Sequence, residues 1–251
     1  MQFIHSWPVY LWFGELKIHP HLLFESLAYA AAFRLMLRNV KTDAIAFSQR
    51  TSVIVGGLVG ALIGAKGLVL LQHIDLLGQD WRQFLLLLLQ GKTVVGAMLG
   101  GLVGVELTKR WIGLKQSTGD AFVYPLIVGT AIGRVGCFLT GLSDRTYGTP
   151  TYLPWGIDFG DGIARHPTQL YEIVFLLGLM AFLKILSRPS WDSGDLFKLY
   201  MMAYLTFRLF IDFIKPDFHP FWGLSAIQVA CFLGLVYYSQ NLPRWLKFSH
   251  P

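Results

Sequence analysis

Charged residues are scarce in this chain. Asp, Glu, Lys and Arg make up 14% of its 251 residues, where soluble domains carry roughly 25%. With 54% hydrophobic residues and a mean hydropathy of +0.50, the deficit excludes an ordinary soluble fold. It points to a polytopic helical membrane protein. Strict alternation of apolar and polar residues is missing too, which argues against a transmembrane barrel. Cysteine is nearly absent. Cys137 and Cys231 both sit in apolar surroundings with neither CxxC nor metal-ligand spacing, so they read as buried structural thiols. No metal set and no cofactor motif stands out. The N-terminal stretch lacks a basic n-region before a clean apolar core, and no cleavable signal peptide is expected.

What charge there is leans positive, +6 overall. The basic residues lie between apolar runs instead of in one patch, so membrane topology accounts for them and nucleic acid does not. Seven spans are expected, at about 20–37, 51–71, 92–107, 120–140, 167–186, 196–214 and 222–240. Before the first, Trp7, Pro8, Trp12 and Phe13 suit an interfacial segment. FLLLLL, within 72–92, is too short to span. Of the 21 Lys and Arg residues, twelve fall on one side of this layout, Lys41, Arg188, Arg244 and Lys247 among them, and six on the other; Lys66, Arg134 and Arg208 lie within spans. The positive-inside rule then places the N-terminus and the 141–166 loop outside and the C-terminus in the cytoplasm. The reading is an all-α polytopic fold in a single integral membrane domain.

Within the spans, small residues recur at a spacing of four. Gly56, Gly60 and Gly64 face one way on the second span, and Gly96, Gly100 and Gly104 on the third. Close helix packing is the first reading, and room for a lipid group the second. Glu25 and Tyr29 share one face of the first span, where Glu25 is expected to face inward.

The residues able to do chemistry gather around 133–172. Gly133 and Arg134 end an apolar run, a polar Gly/Pro-rich loop containing Asp144, Asp158 and Asp161 follows, and His166-Pro167-Thr168-Gln169-Leu170-Tyr171-Glu172 opens the next run. Pro167 suits a first helical turn, with Gln169 and Glu172 as possible caps; that explains the proline but not the density of polar groups. Arg134 is either a snorkelling interfacial arginine or a phosphate ligand, since a guanidinium forks onto phosphate oxygens and keeps its charge when buried. Arg208 and Asp212, four apart in the sixth span, form either an intrahelical ion pair or part of an anion site. His166 can serve as general base or headgroup ligand.

These segments together resemble the prolipoprotein diacylglyceryl transferase family. The resemblance rests on Gly133-Arg134-Val135-Gly136-x-Phe138, Tyr147-Gly148, Pro154-Trp155-Gly156, the His166–Glu172 run, and Phe207-Arg208 followed by Asp212-Phe213 and Pro216-Asp217. It implies a bacterial inner-membrane transferase that moves the diacylglyceryl group of phosphatidylglycerol onto a lipoprotein-precursor cysteine and releases glycerol phosphate. It further implies that Arg134 and Arg208 hold the phosphate region, that His166, Glu172, Arg208 and Asp212 are catalytic, and that Gly133, Gly136, Asp144, Gly148, Gln169 and Tyr171 join Arg134 in binding substrate. The expected partners are the lipid donor, the precursor peptide and the membrane, with no nucleic acid and a monomeric chain.

Several positions depart from the family pattern. Cys137, Thr140 and Leu142 stand where the motif has Asn, Asn and Glu, and Asp144 is available as a replacement acid. Leu99 precedes Gly100-Gly101 where the family usually presents His. The first-span tyrosine corresponds to Phe24, and Asp212 stands for a glutamate. These changes keep a different acceptor in play, as well as a non-catalytic lipid-binding or transport role.

Overall fold

The computed structural model describes residues 7–39, 45–75, 81–186, 192–216, 219, 221 and 223–240. Lys41, Arg188, Asp217, Arg244 and Lys247 lie outside the described residues. The fold is mostly helical: α1 (Pro20–Asn39), α2 (Phe47–Gln72), α3 (Trp81–Gln90), α4 (Val94–Ile112), α5 (Val123–Thr140), α6 (Thr168–Leu186), α7 (Asp195–Ile211) and α8 (Ala226–Ser239). Among the described residues two short hairpins accompany these helices, β1 (Leu11–Phe13) with β2 (Leu16–Ile18), and β3 (Ile157–Asp158) with β4 (Ala164–Arg165). A helix overlaps each of the seven expected segments. Among the described residues, three helices are long and apolar enough to cross a membrane: Phe47–Gln72, the continuous helical stretch Asp120–Asp144, and Thr168–Leu186. The apolar α8 is shorter.

The chain divides into two compact units. The first comprises Met1–Thr42, Ser117–Tyr200 and Phe213–Pro216; the second comprises Asp43–Gln116, Met201–Asp212 and Asp217–Pro251. In the first, α5 packs against α1 and α6. Gly136 permits the α1 contact, because a Cβ there would stand 2.7 Å from Phe24 Cβ. The first turn of α7 is held by Asp120, whose carboxylate accepts from the backbone N–H of Gly194 (2.6 Å) and Phe197 (2.9 Å). An acid there satisfies donors that a helix start leaves open and meets the positive end of the dipole.

In the second unit α2 and α4 run antiparallel along their glycine faces. A Cβ on Gly64 would stand 2.8 Å from Gly100 Cα, and one on Gly60 2.9 Å from Gly104 Cα. Backbone meets backbone, so packing occupies this face and leaves no room for a lipid group. Lys66 is pinned on the end of α3, its Nζ donating to the carbonyls of Leu89 (2.8 Å) and Gly91 (2.9 Å). A cation there complements a helix C-terminus. Ser225 opens α8 with a capping box to Gln228.

The N-terminal aromatic segment is more structured than a set of interfacial anchors. Trp7 packs edge-on against Phe138 (5.2 Å) and Phe159 (5.0 Å), tying the N-terminal segment to the end of α5 and the following loop. That loop contains a 3-10 turn (Gly141–Asp144) and the β3–β4 hairpin. Inside the hairpin, Asp158 accepts from the N–H groups of Gly160, Asp161 and Gly162. Arg165 grips Asp161 with both terminal nitrogens, at 2.6 and 2.7 Å, and this pairing holds the Asp161 carboxyl below its ordinary range.

Candidate active site

In the first unit the site is built where the end of α5 meets the start of α6. Arg134 Nε lies 2.9 Å from Glu172 Oε2, with the two side chains 9% and 3% exposed. Glu172 therefore lies inward, and its carboxylate is spent on the guanidinium instead of on the helix start. One turn along α5, Cys137 Sγ accepts from the same guanidinium at 3.8 Å.

A second polar chain runs beside this pair. Gln169 Nε2 donates to Thr146 Oγ1 (3.1 Å), and Thr146 Oγ1 donates to Asp144 Oδ2 (2.6 Å). Asp144 Oδ1 faces His21 Nδ1 at 3.1 Å. His21 Nε2 reaches Glu25 Oε2 at 3.4 Å, and Tyr29 donates to Glu25 at 2.9 Å. Gln169 is thus no cap; it is buried and joined to the loop. The Thr168 hydroxyl donates to the Thr146 carbonyl, fastening the same loop to the first turn of α6.

His166 and Tyr171 form a third group. Tyr171 Oη is 3.1 Å from His166 Nδ1 and accepts from Trp155 Nε1 at 2.8 Å. Gly148 seats this histidine. Its N–H donates to the His166 carbonyl (2.8 Å), and a Cβ in its place would stand 2.6 Å from His166 Cβ. Gly133 differs from both Gly136 and Gly148, since a Cβ there would meet nothing within 4 Å.

The second unit contains Arg208 and Asp212, with Arg208 NH2 3.5 Å from Asp212 Oδ1 and both side chains buried. The ion pair read from their spacing is therefore formed, although Asp212 belongs to a 3-10 turn (Asp212–Ile214) following α7. The Ser225 hydroxyl donates to Asp212 Oδ2, holding the carboxylate from its other side. Leu99 belongs to apolar packing: a Cβ on Gly234 of α8 would stand 3.1 Å from its Cδ2.

Four contributors were not legible as site residues in the sequence: His21, Thr146, Cys137 and Ser225. The signal for His21 is a histidine one turn ahead of the intramembrane Glu25. Thr146 and Ser225 carry no signal beyond their polarity.

The family model for prolipoprotein diacylglyceryl transferase matches residues 8–239, nearly the whole chain. The chain belongs to that family. Among proteins named phosphatidylglycerol–prolipoprotein diacylglyceryl transferase, the one from Clostridium tetani is 30% identical, covering 91% of this chain and 92% of its own length. That of Bordetella avium is 28% identical over 98% of this chain and 91% of its own. That of Geobacter sulfurreducens is 30% identical over 86% and 85%. In this diacylglyceryl transferase family member, Cys137 stands beside Arg134, and the acid brought to the polar chain after α5 is Asp144.

Proposed function

We propose that the chain transfers the diacylglyceryl group of phosphatidylglycerol to the cysteine thiol of a lipoprotein precursor. The thiol sulfur forms a bond to the glyceryl carbon as the carbon–oxygen bond to phosphate breaks; glycerol phosphate leaves with the electron pair, and the thiol proton is released. The observation that carries this reading is Arg134, a guanidinium buried within the segment that bears the family motif and held by Glu172 at 2.9 Å. A phosphate leaving group gains negative charge as its bond breaks, and a preorganised guanidinium stabilises that charge.

Arg134 and Arg208 are the proposed phosphate-holding groups, with Glu172 orienting the first and Asp212 the second. His166, with Tyr171 and Gln169, lines the acceptor side as a group able to take a proton. Gly133, Gly136, Asp144 and Gly148 are further substrate-binding positions, and open space at Gly133 suits a headgroup approaching backbone. The chain works as a single membrane domain of seven spans in the bacterial inner membrane, N-terminus outside and C-terminus cytoplasmic, and as a monomer.

The test is a transfer assay with labelled phosphatidylglycerol and a peptide carrying a lipoprotein-type cysteine. The wild type labels the cysteine, and Arg134→Ala and Arg208→Ala each lower the rate by about 10²–10³-fold. Peptide left unlabelled by a folded, lipid-binding wild type would overturn the reading in favour of another acceptor or a non-catalytic role.

A further inference from the structure

We propose that His21, Cys137 and Asp144 form a binding site for zinc or a similar divalent metal, whose open coordination position takes the acceptor cysteine as a thiolate. The thiolate half of this inference rests on the transfer reading above; the metal site itself stands on geometry.

The three residues come from separate places in the first unit: His21 from the start of α1, Cys137 from the last turn of α5, Asp144 from the 3-10 turn after it. Their ligand atoms all lie within 4.8 Å of one another. His21 Nδ1 and Asp144 Oδ1 stand 3.1 Å apart as an ion pair, a contact that a bound metal would replace. Zinc takes nitrogen, oxygen and sulfur ligands at about 2.0–2.3 Å, which sets them roughly 3–4 Å apart around the ion. A nitrogen, a thiolate sulfur and a carboxylate oxygen suit zinc, and three protein ligands with a vacant fourth position are the arrangement of a catalytic site.

The surroundings are those of a ligand set. Metal-binding histidines usually donate their other ring nitrogen to a carboxylate, and ligating carboxylates are themselves hydrogen-bonded. Here His21 Nε2 points to Glu25 Oε2 at 3.4 Å, and Glu25 accepts from Tyr29 at 2.9 Å. Asp144 Oδ2 accepts from Thr146 at 2.6 Å, leaving Oδ1 toward His21. Cys137 Sγ accepts from Arg134 at 3.8 Å. Cys137 is buried, the Asp144 side chain is 9% exposed and that of His21 30%, so one side of the cluster is reachable.

The chemistry supplies the need. A thiolate, not a thiol, is the nucleophile, and coordination to a divalent metal deprotonates a thiol outright. With a metal held there, the acceptor thiol would give up its proton, its sulfur would attack the glyceryl carbon, and the bond to the phosphate oxygen would break, the phosphate leaving with the electron pair. The metal keeps its oxidation state throughout.

The test uses the full chain in detergent, stripped with a chelator and titrated with Co²⁺. One Co²⁺ per chain with a sulfur-to-cobalt charge-transfer band is expected, displaced by Zn²⁺. Cys137→Ser should abolish the band. His21→Ala and Asp144→Asn should weaken binding by at least about tenfold, the scale seen even for groups that only orient ligands. Glu25→Gln leaves all three ligands in place and should weaken it by about tenfold, which guards against misfolded ligand variants. The stripped protein should lose peptide transfer and regain it with Zn²⁺. A folded wild type that binds no Co²⁺ would overturn the site, and a metal-free protein transferring at full rate would overturn its role. Metal held by these three ligands, with no transfer before or after reloading, would support the site and sink the transfer reading instead.

Discussion

Arg134 and Glu172 pay for each other's burial, and that mutual dependence is testable. Removing one partner strands a charge out of water at about 3–5 kcal/mol, whereas replacing both with apolar residues is often neutral or stabilising. Glu172→Leu alone should therefore unfold at markedly lower temperature in detergent, while Arg134→Met with Glu172→Leu should recover most of the loss. The double variant should still transfer nothing, because stability and phosphate binding ask different things of the same arginine. A double variant that is stable and active would remove Arg134 from the chemistry. At Gly148 the constraint is steric. A methyl group would stand 2.6 Å from His166 Cβ and 2.8 Å from the Ile214 carbonyl. Gly148→Ala should cost about 1–3 kcal/mol by overpacking, and its effect on turnover reports how closely the His166 position is held. The intramembrane charges were legible in the sequence because burying them is expensive wherever the chain goes. Their partners were legible only at fixed helical spacing. Arg208 with Asp212 could be read at four residues apart, but Arg134 with Glu172, 38 positions apart on different helices, could not.

At the scale of elements, α2 and α4 owe their contact to six glycines. Gly60→Leu would drive a branched side chain into the Gly100 carbonyl and Gly104 Cα. A loss of at least about 1–3 kcal/mol follows, measurable as a lower unfolding temperature in detergent. Gly67→Leu is the control on the same helix, since a Cβ there meets nothing within 4 Å; its stability should stay within about 0.5 kcal/mol of wild type apart from the helix propensity gained. The period of four in the sequence already announced this face. The cap on α7 was not announced, because Asp120 lies more than 70 residues before the N–H groups it satisfies. Asp120→Ala should destabilise by about 1 kcal/mol, seen as faster amide exchange in the first turn of α7.

For the molecule as a whole, charge asymmetry makes a topological prediction. A cysteine placed at Asp161, in the loop between α5 and α6, should react with a membrane-impermeant maleimide from outside intact spheroplasts. A cysteine at Lys115 should react only after permeabilisation. The native Cys137 and Cys231 are buried and give a low background. Labelling of both positions from the same side would refute the seven-span layout.

Composition and periodicity by themselves determined that this chain is helical and membrane-embedded, where its helices run, and which family it resembles, because hydropathy and motif spacing are local properties. Tertiary structure decided which polar groups meet. His21, Cys137 and Asp144 are brought together only when α1 packs on α5 through the gap left at Gly136. Spacing along the chain gives no sign of such a cluster, since its members are neighbours through helix packing and not through any periodicity that a single segment can carry.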